Sequence, residues 1–121
     1  MLLDDFFKII NLQQKENTFK AELEINAAHK IFEGHFPGQP VTPGVCMMQM
    51  IKEIIEKGMD HKTQLIMADE MKFLSVIDPR QNNRITAEIK YTIIVNKISV
   101  MAAITKDSIT HFKFKGSFLL V

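Results

Sequence analysis

The chain has 121 residues, and its 15 lysines and arginines nearly balance its 14 aspartates and glutamates, so the formal net charge is +1. This balance, without a long basic block, argues against a nucleic-acid-binding protein, whose affinity depends on many phosphate contacts. The length predicts one domain over residues 1–121. Because that is small for a buried substrate channel, we expect a site shared between subunits.

The N-terminal residues do not have the pattern of a targeting sequence. Met-Leu-Leu-Asp-Asp-Phe-Phe-Lys lacks the positive start and the uninterrupted apolar run of a signal peptide. No stretch of the chain approaches the length of a membrane span. We therefore expect a cytoplasmic protein that does not insert into membranes.

The first half of the chain predicts a hairpin, a helix and a further strand. Residues 6–12 and 18–25 form the hairpin around Lys15-Glu16-Asn17, and residues 64–74 can supply another strand. Between them, residues 43–57 predict a helix with Gly58 as its C-terminal stop. The helix is apolar on most sides, as expected of a helix wrapped by a sheet, through Val45, Met47, Met48, Ile51, Ile54 and Ile55.

The second half alternates apolar and polar residues with the period of a β-strand. The clearest run is 84–95, which places Ile85, Ala87, Ile89, Tyr91, Ile93 and Val95 on one face. Two further runs, at 98–104 and 109–121, are separated by the short polar segments 96–97 and 106–108. These runs predict an antiparallel meander, and the whole pattern predicts an α+β fold with one long helix in a curved antiparallel sheet.

The most informative segment is the loop that begins at His35 and leads into the helix. It contains two of the five glycines and three of the four prolines of the chain, which predicts a stiff, shaped loop. Next to it, the start of the helix leaves amides near Gly44 to Met47 without intrahelical acceptors, so they could polarise a carbonyl group. A histidine in such a loop suits a general base, because a pKa of about 6.5 leaves imidazole largely neutral at cellular pH.

The sequence Gly-His-Phe-Pro-Gly-Gln-Pro-Val-Thr-Pro-Gly-Val at 34–45 resembles the active-site signature of the 3-hydroxyacyl-[acyl-carrier-protein] dehydratases of fatty acid synthesis, which have the hot-dog fold. The resemblance implies a hydro-lyase in which His35 removes the C2 proton of a 3-hydroxyacyl thioester to give a trans-2-enoyl product. It also implies an acyl-carrier-protein-bound substrate, no cofactor, and a homodimer or higher homo-oligomer. Substrate contacts are expected from Phe36, Pro37, Gly38, Gly44, Val45 and Met48.

The chain departs from that family at the second catalytic group. The family has a carboxylate fourteen residues after the histidine, on the helix of the partner subunit, and this chain has Gln49 there. A glutamine amide can orient a hydroxyl or a water molecule, but it cannot protonate a leaving group. Glu53 lies one helical turn further on, so it either supplies a displaced carboxylate or is a structural or solvated helix residue.

Three functions therefore stay open. The first is the dehydratase of fatty acid or polyketide-type synthesis, with Gln49 or Glu53 positioning the departing hydroxyl group. The second is a non-catalytic acyl-binding subunit that forms a heterodimer with another hot-dog chain, which provides the missing carboxylate. The third is an acyl thioesterase on the same fold.

The other histidines, the single cysteine and several surface cations are weaker candidates for a functional role. His29, His61 and His111 are expected at surface or edge positions, and the spacing of His29, Glu33 and His35 does not match a zinc pattern, so we predict no metal. Cys46 in the first helical turn could be a nucleophile, but packing in the core is favoured. An acidic carrier could contact Lys72, Arg80, Arg84 or Lys113, for which ordinary solvated charge is an equal alternative.

Overall fold

The computed structural model describes residues 2–33, 41–81 and 83–121. The strands are β1 (Phe7–Lys15), β2 (Thr18–Ile25), β3 (Thr63–Phe73), β4 (Arg84–Ile94), β5 (Lys97–Lys106) and β6 (Ile109–Leu120). Helix α1 (Gly44–Met59) and a short 3-10 helix (Lys30–Phe32) lie between β2 and β3. All neighbouring strands are antiparallel in the sheet order β1-β2-β4-β5-β6-β3, which confirms the predicted hairpin and meander.

Helix α1 packs against one face of this sheet, and the core lies between them. The alternating residues predicted for β4 are buried from Ile85 to Tyr91, and the matching faces of β5 and β6 are buried as well. The largest completely buried side chains include Phe19, Phe112, Phe114 and Phe118 from the sheet and Met50, Ile51, Ile54 and Ile55 from the helix. Val45 is the exception among the apolar helix residues, since it is 74% exposed.

The turn between β4 and β5 differs from the prediction by one residue. Strand β4 ends at Ile94, so Val95 and Asn96 form a two-residue turn. Val95 has a φ of 60° and is 92% exposed, and Ile93 is 45% exposed. The alternation of apolar and polar residues extends to Val95, so it predicted a strand that is one residue too long. Such a pattern depends on side-chain polarity and does not show where the backbone turns. A β-branched residue at positive φ is strained by roughly 1–3 kcal/mol.

Replacing Val95 by glycine is expected to stabilise the protein, because glycine adopts positive φ without a steric penalty. After the larger entropy of the unfolded glycine chain is subtracted, we expect a gain of about 1 kcal/mol and a rise in Tm of about 3–5 °C. Thermal unfolding followed by circular dichroism measures the change. Asn96→Gly is the control and should not stabilise, because Asn96 does not have a positive φ; an equal or lower Tm for Val95→Gly would contradict the prediction.

The helix ends two residues later than predicted, and Gly58 is not its stop. Gly58 is inside α1, where a Cβ atom would lie 2.5 Å from the Phe19 ring, so this glycine permits close packing of the helix on β2. The chain leaves the helix at Asp60, which has a φ of 51° and donates its backbone N–H to the Glu56 carbonyl. Aspartate tolerates this left-handed conformation better than most residues, so it ends the helix where a glycine was expected.

The Glu56 carboxylate connects the end of α1 to the start of β3. It accepts hydrogen bonds from Thr63 N at 2.7 Å and from Lys52 Nζ at 3.0 Å. Burial by itself would raise the pKa of Glu56, but the hydrogen bonds from Thr63 and Lys52, with the positive charge of Lys52, hold the pKa below its ordinary value. The ionised form of Glu56 is therefore favoured in the folded protein.

This lowered pKa predicts a pH-dependent contribution to stability. A carboxyl group with a lower pKa in the folded state stabilises above its unfolded pKa of about 4.3, and the contribution is lost as the pH falls through the folded value. Glu56→Gln should cost about 1 kcal/mol at pH 7, and this difference from wild type should disappear at acidic pH. Urea unfolding between pH 7 and pH 3 tests it. The control Lys57→Gln removes an exposed charge from the last turn of the same helix, so a similar pH profile for both variants would oppose the prediction.

Candidate active site

An apolar cavity of about 390 Å³ lies at the start of helix α1. The segment that enters the helix forms one wall, and the end of β3 with the residues after it forms the other. The lining residues are Val41, Thr42, Pro43, Gly44, Met47, Phe73, Leu74, Ser75 and Val76. Among the predicted substrate contacts that the structure describes, only Gly44 lines this cavity, so most of the described wall was missed by the sequence analysis.

Gly44 lies directly against the Phe73 ring at the helix start. A Cβ atom at this position would lie 2.3 Å from the Phe73 ring, so only glycine lets the ring lie this close to the backbone. Pro43 precedes the helix and supplies no side-chain cap. The Cys46 and Met47 amides both donate to the Pro43 carbonyl, at 3.0 and 3.3 Å, so the expectation that they lack acceptors is wrong. Within the described residues, only the Gly44 and Val45 amides at the helix start have no acceptor, and these two lie beside the apolar cavity, where they can polarise a carbonyl oxygen.

Thr42 is a buried polar residue in the same wall. Its side chain is almost completely buried, and among the described residues its Oγ1 has no hydrogen-bond partner. The Thr42 N–H donates to the Ile77 carbonyl at 2.9 Å, which joins the two walls of the cavity. A threonine between Val41 and Pro43 gave little signal in the sequence, because a hydroxyl group in a loop is ordinarily solvated.

Two of the predicted catalytic residues, Gln49 and Glu53, contact each other on α1. Gln49 Nε2 donates to Glu53 Oε2 at 2.9 Å, and Gln49 is half-buried. Glu53 is 1% exposed, and its carboxylate also accepts hydrogen bonds from the backbone N–H groups of Leu2 and Leu3 at 2.8–3.0 Å. Neither residue lines the cavity at the helix start.

The N-terminal segment that Glu53 holds is itself packed into the fold. Phe6 is completely buried and its ring contacts His29 and Phe32 at 5.4 and 5.5 Å. Asn26 N donates to the Phe6 carbonyl at 2.8 Å. The segment therefore connects α1 to the residues that precede position 34 in the sequence.

Several predicted site residues lie outside the described part of the chain. His35, Phe36, Pro37 and Gly38 belong to residues 34–40, so their roles stay predictions. Of the other two predicted substrate contacts, Met48 is 9% exposed within the core, whereas Val45 is exposed on the first turn of α1.

Cys46 is a buried thiol. Its side chain is 4% exposed, and burial raises its pKa above the ordinary value for a thiol. A raised pKa disfavours the thiolate, which is the nucleophilic form. Cys46 therefore packs in the core, as the sequence analysis favoured.

Two of the three histidines outside the loop are less exposed than predicted. His111 is 3% exposed, because the chain after β3 crosses the start of β6 and Leu74 N donates to the His111 carbonyl at 2.9 Å. His29 is half-buried: its Nδ1 accepts from Ile31 N at 3.1 Å, and its Nε2 lies 3.1 Å from Asp5 Oδ2. His61 is exposed, as predicted.

The cations considered for carrier docking do not form one free basic surface. Acidic side chains contact three of them: Lys72 with Glu70 at 3.7 Å, Arg80 with Asp78 at 3.2 Å and Arg84 with Glu24 at 3.0 Å. Hydrogen bonds from Arg80 also hold the pKa of Asp78 below its usual range. Carrier docking at these residues stays a prediction.

The described part of the chain contains neither a metal-binding cluster nor a membrane-spanning helix. Within residues 2–33, 41–81 and 83–121, no group of three His, Cys, Asp or Glu side chains is placed to hold a metal ion. Helix α1 and the shorter described helix lack the length and apolarity needed to cross a bilayer.

The comparisons with solved structures identify the fold. The dehydratase heterocomplex ApeI:P from Xenorhabdus doucetiae contains a chain with 19% identity and a TM-score of 0.74, over 92% of this chain and 96% of that one. The conserved protein PA5202 from Pseudomonas aeruginosa has 10% identity and a TM-score of 0.65, over 92% and 87%. A mutant of thioesterase PA1618 from the same organism has 7% identity and a TM-score of 0.61, over 92% and 81%.

These similarities, with one long helix packed on a six-stranded antiparallel sheet, define a hot-dog-fold protein. Residues 11–106 match the ApeI-like family, described as ApeI dehydratase. The chain therefore belongs to the ApeI-like dehydratase family. No curated protein sequence matches this chain.

Proposed function

We propose that this protein is a 3-hydroxyacyl-[acyl-carrier-protein] dehydratase that acts in the cytoplasm, in fatty acid or polyketide-type synthesis. The observation that carries the proposal is the apolar cavity at the start of α1, which is lined in part by residues 41–44 of the segment 34–45 that resembles the dehydratase signature. Membership in the ApeI-like family supports the same reaction class. A flexible acyl chain suits this cavity, because apolar side chains such as Met47 and Phe73 form most of its wall.

In the proposed reaction, neutral His35 takes the C2 proton of the 3-hydroxyacyl thioester. The electron pair moves toward the thioester carbonyl, whose oxygen is stabilised by amides at the start of α1. The pair then forms the C2–C3 double bond as the C3–O bond breaks. Gln49 orients the departing hydroxyl group but has no acidic proton, so the imidazolium formed at His35 returns its proton and water leaves.

Mass spectrometry of the protein incubated with a 3-hydroxyacyl-carrier-protein tests the reaction. Loss of one water from the acyl group supports the proposal. Release of the carrier thiol with a free acid would instead indicate a thioesterase. No change in substrate mass would contradict activity of the isolated chain.

The proposed site is shared between two hot-dog chains that pair along β3. This strand is an edge of the sheet, it has 11 residues, and most of them are exposed. Its exposed apolar side chains are Leu65, Ile66, Met67, Met71 and Phe73. A long apolar edge strand offers unpaired backbone groups to a second chain, and pairing there would bring a second cavity wall next to Phe73.

A charge on this strand is expected to prevent dimerisation. Met67→Lys should weaken the dimer by about tenfold or more, because pairing would bury an unpaired ammonium group. Light scattering after size exclusion distinguishes a protomer of 13.9 kDa from a particle of twice that mass. Met101→Lys is the matched control, since Met101 is 59% exposed against 56% for Met67 but lies on the central strand β5. Dissociation by Met101→Lys and not by Met67→Lys would place the interface elsewhere.

The second candidate function is an acyl-binding subunit of a heteromeric dehydratase. It is favoured by the pair Gln49 and Glu53, because the first has no acidic proton and the second is buried and holds the N-terminal segment. The similar chain from Xenorhabdus doucetiae comes from a heterocomplex. An inactive wild type that gains water-eliminating activity on Gln49→Glu substitution would support this function over the first.

A further inference from the structure

The turn between β4 and β5 presents a run of apolar side chains to solvent. Ile93, Ile94 and Val95 are consecutive, and they are 45%, 67% and 92% exposed. We infer that this turn binds the surface of an anionic lipid bilayer, where the apolar side chains enter the headgroup region and nearby lysines contact lipid phosphates. The contact is peripheral and needs no membrane-spanning segment. It is also separate from the cavity at the start of α1, with which it shares no residue.

The tip of the β4–β5 hairpin extends beyond β2. Thr18 is the first residue of β2 and pairs with Lys90, so residues 92–94 of β4 pair only with β5. On the other side of the hairpin, Leu120 N donates to the Asn96 carbonyl at 2.7 Å, so β6 supports the turn without covering its apolar side chains. The tip is therefore a narrow projection that a flat surface can contact.

Val95 differs from the residues at the same position in the other hairpins. The first residues of the three two-residue turns are Glu16, Val95 and Asp107, with φ values of 54°, 60° and 49°. Glu16 and Asp107 are charged, as is common in exposed turns, whereas Val95 is apolar and β-branched. At this φ a β-branched side chain strains the backbone, and the exposed Val95 side chain gains nothing from burial in the fold. Contact with a partner explains an apolar residue that has this cost and no packing.

The charge at this end of the sheet is complementary to an anionic surface. Ile94 pairs with Lys97, and Val121, which follows Leu120, donates its N–H to the Lys62 carbonyl. The segments 15–17, 57–62 and 94–97 meet at this end and carry four exposed lysines against two exposed acidic residues, namely Lys15, Lys57, Lys62 and Lys97 against Glu16 and Asp60. None of the four lysines forms an ion pair with a described residue. Four lysines less two acidic residues leave two positive charges in excess, which attract anionic lipids.

The size of the apolar tip favours a bilayer over a protein partner. A stable protein interface takes about 20–30 residues on each side, and the tip offers only Ile93, Ile94 and Val95. A bilayer requires fewer residues, because each apolar side chain that enters it contributes through its own buried area. Apolar side chains with lysines beside them are typical of segments that lie at a membrane surface.

Sedimentation of the protein with lipid vesicles tests the inference. One set of vesicles contains phosphatidylglycerol and phosphatidylcholine in equal amounts, and the other contains phosphatidylcholine alone. Wild type should bind the anionic vesicles more tightly. Ile94→Ser and Val95→Gly should each weaken this binding by about tenfold or more, and Lys97→Gln should weaken it by about fivefold. Ile109→Ser is the matched control and should bind as wild type does, because Ile109 is 55% exposed beside the β5–β6 turn, at the opposite end of the sheet.

The outcomes leave the proposed dehydratase function untouched and decide the inference. Loss of folding does not confound the test, because Val95→Gly is expected to raise the Tm. No binding of wild type to anionic vesicles, or undiminished binding by both Ile94→Ser and Val95→Gly, would overturn the inference. Equally tight binding of wild type to the neutral vesicles would also overturn it, because the lysines would then have no role. Light scattering without lipid tests contact with a second copy: a lower particle mass for Val95→Gly than for wild type would assign the turn to a protein interface instead.

Discussion

His35→Ala is expected to reduce the rate of water loss from a 3-hydroxyacyl-carrier-protein by about 10²- to 10⁴-fold, the usual contribution of a positioned general base. Alanine cannot accept the C2 proton, and the acyl chain would still be held by the cavity at the start of α1. The loss should therefore fall mainly on kcat, with little change in KM. Rates measured from the appearance of the enoyl product give both constants.

His61→Ala is the control for this experiment. His61 is exposed just after α1, and its Nδ1 lies 2.9 Å from the Lys62 carbonyl, far along the helix from the cavity. The control should keep wild-type kcat and KM. A His35→Ala variant with unchanged kcat would exclude His35 as the base and with it the proposed mechanism.

Glu53→Ala is expected to destabilise the protein by about 2–4 kcal/mol. The substitution removes the acceptor for Leu2 N, Leu3 N and Gln49 Nε2, and each buried donor left unpaired costs roughly 1–3 kcal/mol. Removing a buried carboxylate also relieves its desolvation cost, which offsets part of the loss. Urea unfolding at pH 7 should show a lower midpoint with a similar slope.

Glu22→Ala provides the comparison, because Glu22 is an exposed glutamate on β2 and its loss should change stability by no more than about 0.5 kcal/mol. If Glu53→Ala were as stable as Glu22→Ala, the hydrogen bonds from the N-terminal segment to Glu53 would make no net contribution to the free energy of unfolding. Glu53 would then have no structural reason to be buried, and the displaced catalytic carboxylate would again be the better explanation.

The fold was predictable because the strongest sequence signals are periodic. The alternation in β4, β5 and β6 and the apolar helix before β3 each report which side chains face the core. A single helix and several antiparallel strands leave few arrangements that bury all of these faces. The ends of elements were less predictable, as Val95 and Gly58 illustrate. Val95 has strand polarity but turns the chain, and Gly58 serves packing against Phe19 although glycine commonly ends helices.

The candidate site was predictable only where the chain is continuous. His35 and the helix start lie in one segment, so both could be proposed from residues 34–45. The opposite wall of the cavity comes from Phe73 to Val76, which are about thirty residues later and have no polar pattern that indicates a site. His111 was misplaced for the same reason, since it is buried by a segment that its own strand does not predict.

The sequence by itself determined the element order, the faces that form the core, and the departure from the dehydratase signature at Gln49. Only the tertiary structure decided which groups the Glu53 carboxylate contacts. On the helix it is one turn from Gln49, and helical spacing alone allowed either a displaced catalytic carboxylate or a structural residue. The N-terminal segment packs against α1, and the backbone N–H groups of Leu2 and Leu3 both donate to the Glu53 carboxylate. Such contacts depend on how distant segments meet, and local sequence patterns do not record that.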